Sequence, residues 1–297
     1  MLIYIFCDNI IVDLWGDVMW DVLLDSLIDV LKIIPFLFVA FLILEYIEHK
    51  ISKKNEKILI NNKKYGPILG GVLGSFPQCG FSAMATKLFS SRVITLGTLI
   101  AVYLSTSDEM LPILISNGTS IVTILKIIGI KVVIGIILGL IIDLIYKKKE
   151  SHKEHIHEEC EEEDCHCEKG IVKSSLHHTV NITIYLLITI IILNTIIYLV
   201  GEESIKEFML NNRAYYISSL IGLIPNCASS VIMTEIYLTD MISFGSLMSG
   251  LLTGAGVGLL ILFKTNKNLK ENIIIVILLY IIGVVMGYLI DMIGIVI

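Results

Sequence analysis

The sequence predicts an all-α polytopic membrane protein made of one unit used twice, in opposite orientations. Composition, an internal repeat and the placement of lysines predict it. Of the 297 residues, 55% are hydrophobic and only 17% are charged, against about 25% charged in an average soluble domain. Mean hydropathy is +0.84. The 22 basic and 28 acidic residues total 50, and 15 of these crowd into Lys147–Lys173, which leaves the rest more apolar still. Runs such as Ser120–Ile145 and His178–Val200 are long enough to cross a hydrocarbon core of about 30 Å at about 1.5 Å per residue. A soluble fold is excluded. A net charge of -6 with no basic patch beyond loop lysines also excludes a nucleic-acid binder. The start, Met1-Leu2-Ile3-Tyr4, lacks a positive n-region, so no cleaved signal peptide is expected.

The repeat is legible in scarce residues. Gly74-Ser75-Phe76-Pro77-Gln78-Cys79 recurs as Gly222-Leu223-Ile224-Pro225-Asn226-Cys227, an offset of 222 − 74 = 148. The same offset pairs Ser82 with Ser230, Thr86 with Thr234, Gly97 with Gly245 and Thr98 with Ser246. It also pairs Gly135, Gly139 and Asp143 with Gly283, Gly287 and Asp291. Chance similarity between apolar helices does not place Gly, Pro, Cys and Asp at one offset.

Lysines fix the sidedness. Six fall in Glu48–Lys64, six in Lys147–Lys173 and three in Lys264–Lys270, whereas residues 1–31 hold none but carry six aspartates. The positive-inside rule puts those three segments in the cytoplasm and both termini outside the cell membrane. The first span, about Leu27–Ile47, then runs inward, and Ile121–Tyr146 must also run inward to reach Lys147. That parity holds only if Gly66–Ser91 is a re-entrant hairpin turning back at Pro77-Gln78-Cys79. By the same logic Ala214–Tyr237 enters from outside, tipped at Pro225-Asn226-Cys227. Proline breaks each tip by removing a donor and clashing with the preceding turn. The expected organisation is an extracytoplasmic amphipathic helix (1–26, with Asp13, Asp17, Asp21 and Asp25 at fourfold spacing, a run that Asp29 continues) and a first repeat (27–146). A cytoplasmic loop (147–178) and a second repeat (179–297) follow. Each repeat has three spans and one hairpin, an inverted arrangement that puts a binding site at the midplane between broken helices.

Several residues are candidates for that site. Cys79 and Cys227 at the tips offer soft thiolates for a transition metal or arsenite; Gln78 and Asn226 beside them offer amide oxygens. The tip amides would equally suit an anion, so the tips alone leave the sign of the substrate open. Asp108 and Glu109, after Ser105-Thr106-Ser107, fall within the membrane and lean toward a cation. Their counterpart, Thr253-Gly254-Ala255-Gly256-Val257, is equally unsuited to a regular helix but uncharged. Two crossed, locally unwound helices are therefore expected. Ser82, Ser230 and Thr106 complete the substrate-binding set, with Lys131 near mid-membrane as a partner for Asp108 or Glu109. Lys126, closer to the outer end, is expected to snorkel. Gly135, Gly139, Gly283 and Gly287 are expected to be close-packing positions, and Asp143 and Asp291 to be solvated helix ends. The loop carries His152, His155, His157, Cys160, Cys165, His166 and Cys167, with His177 and His178 at its end and nine acidic residues interspersed. Such a tract binds transition metals by composition and is expected to act as a metal buffer or sensor.

Pro77-Gln78-Cys79-Gly80-Phe81-Ser82, Arg92-Val93-Ile94-Thr95-Leu96-Gly97-Thr98-Leu99 and Ser105-Thr106-Ser107-Asp108-Glu109 resemble the ten-transmembrane heavy-metal exporters. These are the arsenical-permease-like proteins labelled manganese or arsenic efflux transporters. The resemblance spans most of the chain and implies a cell-membrane exporter of a metal or metalloid. Its ten segments equal six spans plus four hairpin arms. The expectation is a secondary transporter, not an enzyme, that exports a divalent transition or heavy metal such as manganese or zinc by alternating access. Cys79, Cys227, Asp108 and Glu109 would be direct ligands. No tightly bound cofactor is expected; the metal is substrate and a ligand of the loop. No Walker A motif is present, so a proton or ion gradient would supply the energy. An exporter of arsenite or another anion using hairpin amides and Lys131 is the competing expectation. A metal-sensing scaffold or intramembrane enzyme is a lesser one. The lipid bilayer is the expected surrounding, and a homodimer is left open.

Overall fold

A computed structural model describes residues 65–76, 79–106, 110–146, 171–200 and 214–294, with scattered helical positions between 20 and 42. Within helices, some side chains, those of Cys79 and Cys227 included, fall outside that description. All described elements are helical. The first unit holds α1 (Gly66–Gly74), α2 (Cys79–Ser90), α3 (Leu96–Ser105), α4 (Met110–Ser116) and α5 (Ile121–Ile145). A long helix, α6 (Ile171–Val200), leads to the second unit. That unit holds α7 (Ala214–Gly222), α8 (Cys227–Leu238), α9 (Phe244–Thr253), α10 (Gly258–Thr265) and α11 (Leu269–Ile293). Adding 148 to the first residue of each helix α1 to α5 gives the first residue of α7 to α11.

Local chemistry explains why the bounds repeat. Thr95 and Ser243 cap α3 and α9, each accepting from the backbone N–H three residues on. Ser120 and Asn268 cap α5 and α11, accepting from the backbone N–H of Val122 and of Glu271. These are the side chains that best satisfy orphan N–H groups at a helix start. Arg92 and Asp240, again 148 apart, both take left-handed backbone with φ of 58° and 57°. They turn α2 and α8 sharply into the helices that follow.

Packing gives each unit its direction. A Cβ on Gly66 would strike Thr98, and one on Gly74 would strike Ser105 and Val102, so α1 runs alongside α3 in the same sense. Going the other way, α2 places Thr86 on Tyr103 (2.6 Å between hydroxyls) and ends beside the start of α3. Helix α5 is antiparallel to α3: a Cβ on Gly139 would lie 2.5 Å from the Gly97 carbonyl. The second unit repeats this, with Gly287 2.5 Å from the Gly245 carbonyl. The close-packing role expected of Gly135, Gly139, Gly283 and Gly287 is what the helix crossings require.

The units meet through α2 and α10. Gly258 abuts Ser82, Thr86 and Tyr103, while Thr265 bonds Ser90 at 2.7 Å, so α10 runs with α2 and against α3. At that end Arg92 forms a bidentate pair with buried Glu271, at 3.0 and 2.8 Å. A second apolar cluster joins Val30, Ile33, Leu37 and Phe41 of the N-terminal segment to Ile182, Leu186 and Ile190 of α6.

Among the described residues five stretches are long and apolar enough to cross a membrane: Leu96–Ser116, Ile121–Ile145, Ser175–Ile192, Phe244–Thr265 and Leu269–Ile293. The two interrupted ones are 73% and 83% buried, whereas the two uninterrupted 25-residue helices are 28% and 33% buried. The broken spans therefore form the interior, and α5 and α11 turn Ile, Leu and Val faces outward. Helix α6 starts at Ile171, ahead of the expected boundary at 179, so His177 and His178 belong to a helix and not to the loop. The described positions of the expected first span (27–47) are helical as far as 42, whereas most of the N-terminal helix (1–26) falls outside the described residues.

Candidate functional site

Both interrupted spans break in their middle. Helix α3 stops at Ser105 and the chain resumes as α4 at Met110; α9 stops at Thr253 and α10 begins at Gly258. Gly254 and Gly256 suit the second break, Gly256 having φ of 54°. The shorter elements break at the same depth: α7 ends at Gly222 and α8 starts at Cys227.

These breaks converge on one cavity of about 20 Å³, room for a single water-sized occupant. It is lined by Thr106 and Met110 from one break and Gly250, Leu251, Gly254 and Gly256 from the other. Asn226, Ser229 and Ser230 at the start of α8 and Lys131 from α5 complete it. Lys131 is fully buried, ten residues into a helix of 25, so the cavity lies near the middle of the bundle. Its ammonium donates to the Thr106 carbonyl and, at 3.0 Å, to the Leu251 carbonyl. Two negative helix ends thus face one positive charge. The start of α8 brings a positive helix end to the same space. There the Ser229 hydroxyl closes the first turn onto the Asn226 carbonyl at 2.8 Å.

Four expected site residues, Thr106, Lys131, Asn226 and Ser230, line this cavity. Ser82 does not; it is buried against the start of α10, its carbonyl accepting from Thr86 at 2.6 Å. Cys79 and Cys227 are the first residues of α2 and α8. Gln78, Asp108 and Glu109 lie outside the described residues, though 107–109 connect two residues that line the cavity. The loop ligands His152, His155, His157, Cys160, Cys165, His166 and Cys167 also lie outside them. Among the described residues no three His, Cys, Asp or Glu side chains gather as a metal site.

One expectation is overturned. Asp143 and Asp291 are half-buried and bonded to neighbouring helices, not left to solvent alone. Asp143 accepts from the Thr95 hydroxyl at 2.6 Å and the Gly97 amide at 2.8 Å. Asp291 accepts from Ser243, from the Gly245 amide at 2.7 Å and from the Tyr215 hydroxyl at 2.7 Å. Each carboxylate satisfies the orphan donors at the start of a neighbouring broken helix and suits its positive end. Asn194 was not anticipated either. It accepts from the Asn226 amide and donates to Ser26 at 2.8 Å, linking the cavity wall through α6 to the N-terminal segment. The available signal was an asparagine within the apolar run 178–200, a costly place for a polar group without a task.

Interrupted spans buried inside a jacket of straight apolar helices, with a polar cavity between them, define a multi-pass membrane protein of the transporter class. The chain belongs to the family described as "Putative, 10TM heavy-metal exporter", whose model matches residues 17–180 and 166–295. That is an exporter family and not an enzyme class. No curated protein and no solved structure matches the chain.

Proposed function

We propose that the protein is a secondary-active exporter of a divalent transition or heavy metal, carried through the cavity between the two units by alternating access. The observation that carries this reading is the convergence of the helix breaks of both units on Thr106, Lys131, Asn226 and Ser230. Broken spans that place half-helix ends at mid-membrane are how secondary transporters hold ions. The direction of α10, with α2 and against α3, supports an inverted repeat. The start of α1 and the end of α2 both sit beside the start of α3, which supports a re-entrant hairpin. In this reading the Arg92, Lys147 and Lys264 ends face the cytoplasm and the His/Cys loop lies there as a metal buffer. Cys79 and Cys227, each opening a helix next to a break, supply soft donors, and Asp108 and Glu109 supply charge.

A second reading has a specific observation behind it. Lys131 and the start of α8 both present positive potential to the cavity, as an oxyanion such as arsenite-derived anions would require.

One experiment separates them. Cells lacking their own exporters, expressing the protein, are challenged with manganese, zinc, cobalt, cadmium and arsenite. Cell-associated metal is read by mass spectrometry. The expected outcome is a lowered content of one divalent metal. It should be lost in Cys79→Ser/Cys227→Ser and in Asn226→Ala, and kept when 150–169 are deleted. Lowered arsenic alone, with the cysteine pair dispensable, would move the assignment to an anion.

A further inference from the structure

The most unusual group in the molecule is Lys131. Its side chain is fully buried in the middle of a membrane-length helix, where an ammonium costs several kcal/mol unless it is well coordinated. Two of its acceptors are backbone carbonyls. One is the carbonyl of Thr106, the residue that caps the end of α3. The other is the carbonyl of Leu251, near the end of α9. Ala255, which a regular helix would bond to Leu251, bonds Thr253 instead, at 2.8 Å. The break thus frees the Leu251 carbonyl. Both carbonyls lie at negative helix ends, one from each unit, and Lys131 is a positive charge that joins them. Its counterpart 148 residues on, Leu279, is a buried leucine, so the device exists once and not twice.

Carbonyl oxygens from unwound helices are also what a small cation takes in a membrane protein. We propose that Lys131 is a tethered cation: between cargo ions its ammonium holds the seat that the two broken helices offer to positive charge, and the cargo enters by displacing it. This rests on the cavity being the transport site, and it deepens that reading by naming how the site is kept closed. Displacement separates the α3 and α9 ends from Lys131, which couples cargo binding to movement of one unit against the other. No bond is made or broken; the ammonium moves and the ion replaces it.

The test uses purified full-length protein in detergent, with Lys131→Met and Lys131→Gln beside the wild type. Thermal unfolding is followed in choline chloride and after exchange, at constant ionic strength, into sodium, potassium or manganese. If the seat is built for a cation, both variants leave two carbonyl ends without positive charge. At least one small ion should then raise their unfolding midpoint by about 4–8 °C, while the wild type moves far less. A variant that stays folded only in one of those salts gives the same result more strongly. Equal responses of variants and wild type, or variants that unfold alike in every salt, would overturn the proposal. The failure is distinct from that of the transport reading. Asn226→Ala and Cys79→Ser/Cys227→Ser could still abolish metal efflux while no ion stabilised the Lys131 variants.

Discussion

The two units share a scaffold and differ in their chemistry. Helix starts, N-caps, left-handed turns and the two carboxylates that cap a neighbouring helix all recur at the same offset. Around the cavity the correspondence fails. Lys131 faces Leu279 in the register, Thr106 faces Gly254, and Tyr103, hydrogen-bonded to Thr86, faces Leu251. Duplication supplied two broken helices and the crossing that holds each of them. Among the described residues that line the cavity, Lys131 of the first unit carries the charge, so the cavity is charged where the units differ.

The largest effect should come from breaking what the units share. Gly97→Val and Gly245→Val would put a Cβ 2.1 and 2.2 Å from the carbonyls of Gly139 and Gly287. Overpacking against backbone should cost about 3 kcal/mol or more. Neither variant should give a monodisperse peak on size exclusion after extraction. Tolerance in one unit alone would show that the scaffolds are not equivalent.

Next in size are the shared carboxylates. Asp143→Ala and Asp291→Ala each strand a helix-start amide and a hydroxyl, which should lower stability by about 2–3 kcal/mol. Tyr215→Phe should cost only about 1 kcal/mol, because the Ser243 and Gly245 donors to Asp291 remain. Thermal midpoints of the three proteins check the order.

The comparison sharpens where the units differ. Lys131→Met should lower efflux by about tenfold or more, whereas Leu279→Met, a near volume-conserving change at the matching position, should leave it unchanged. Equal effects would make Lys131 a packing residue. The smallest difference is expected between Ser230 and Ser82. Ser230→Ala removes a hydroxyl from the cavity wall and should reduce efflux severalfold. Ser82→Ala should change it less, since that side chain packs against α10. Initial efflux rates in everted vesicles would read both.

How much of this the sequence carried depends on whether a residue acts locally. The breaks between Gly74 and Cys79, between Gly222 and Cys227 and at Gly254–Gly256 were legible in proline and glycine because backbone chemistry is written in residue type. The roles of Asp143 and Asp291 were not. Each bonds a backbone amide 46 residues away, and an amide has no letter in the sequence. Lys131 was half legible. Its depth followed from counting along an apolar helix, but the Thr106 and Leu251 carbonyls that it bonds are freed by breaks elsewhere.

By itself the sequence determined a polytopic helical membrane protein, a unit used twice at an offset of 148, and where each unit's spans break. Hydrophobic length, lysine placement and the scarcity of Gly, Pro and Asp in apolar helices are properties of the chain alone. Only the tertiary structure decided which breaks meet, that Lys131 joins both units, and that Asp143 and Asp291 cap other helices. Those depend on backbone donors and acceptors from distant segments arriving at one place, and no periodicity in the chain encodes that arrival.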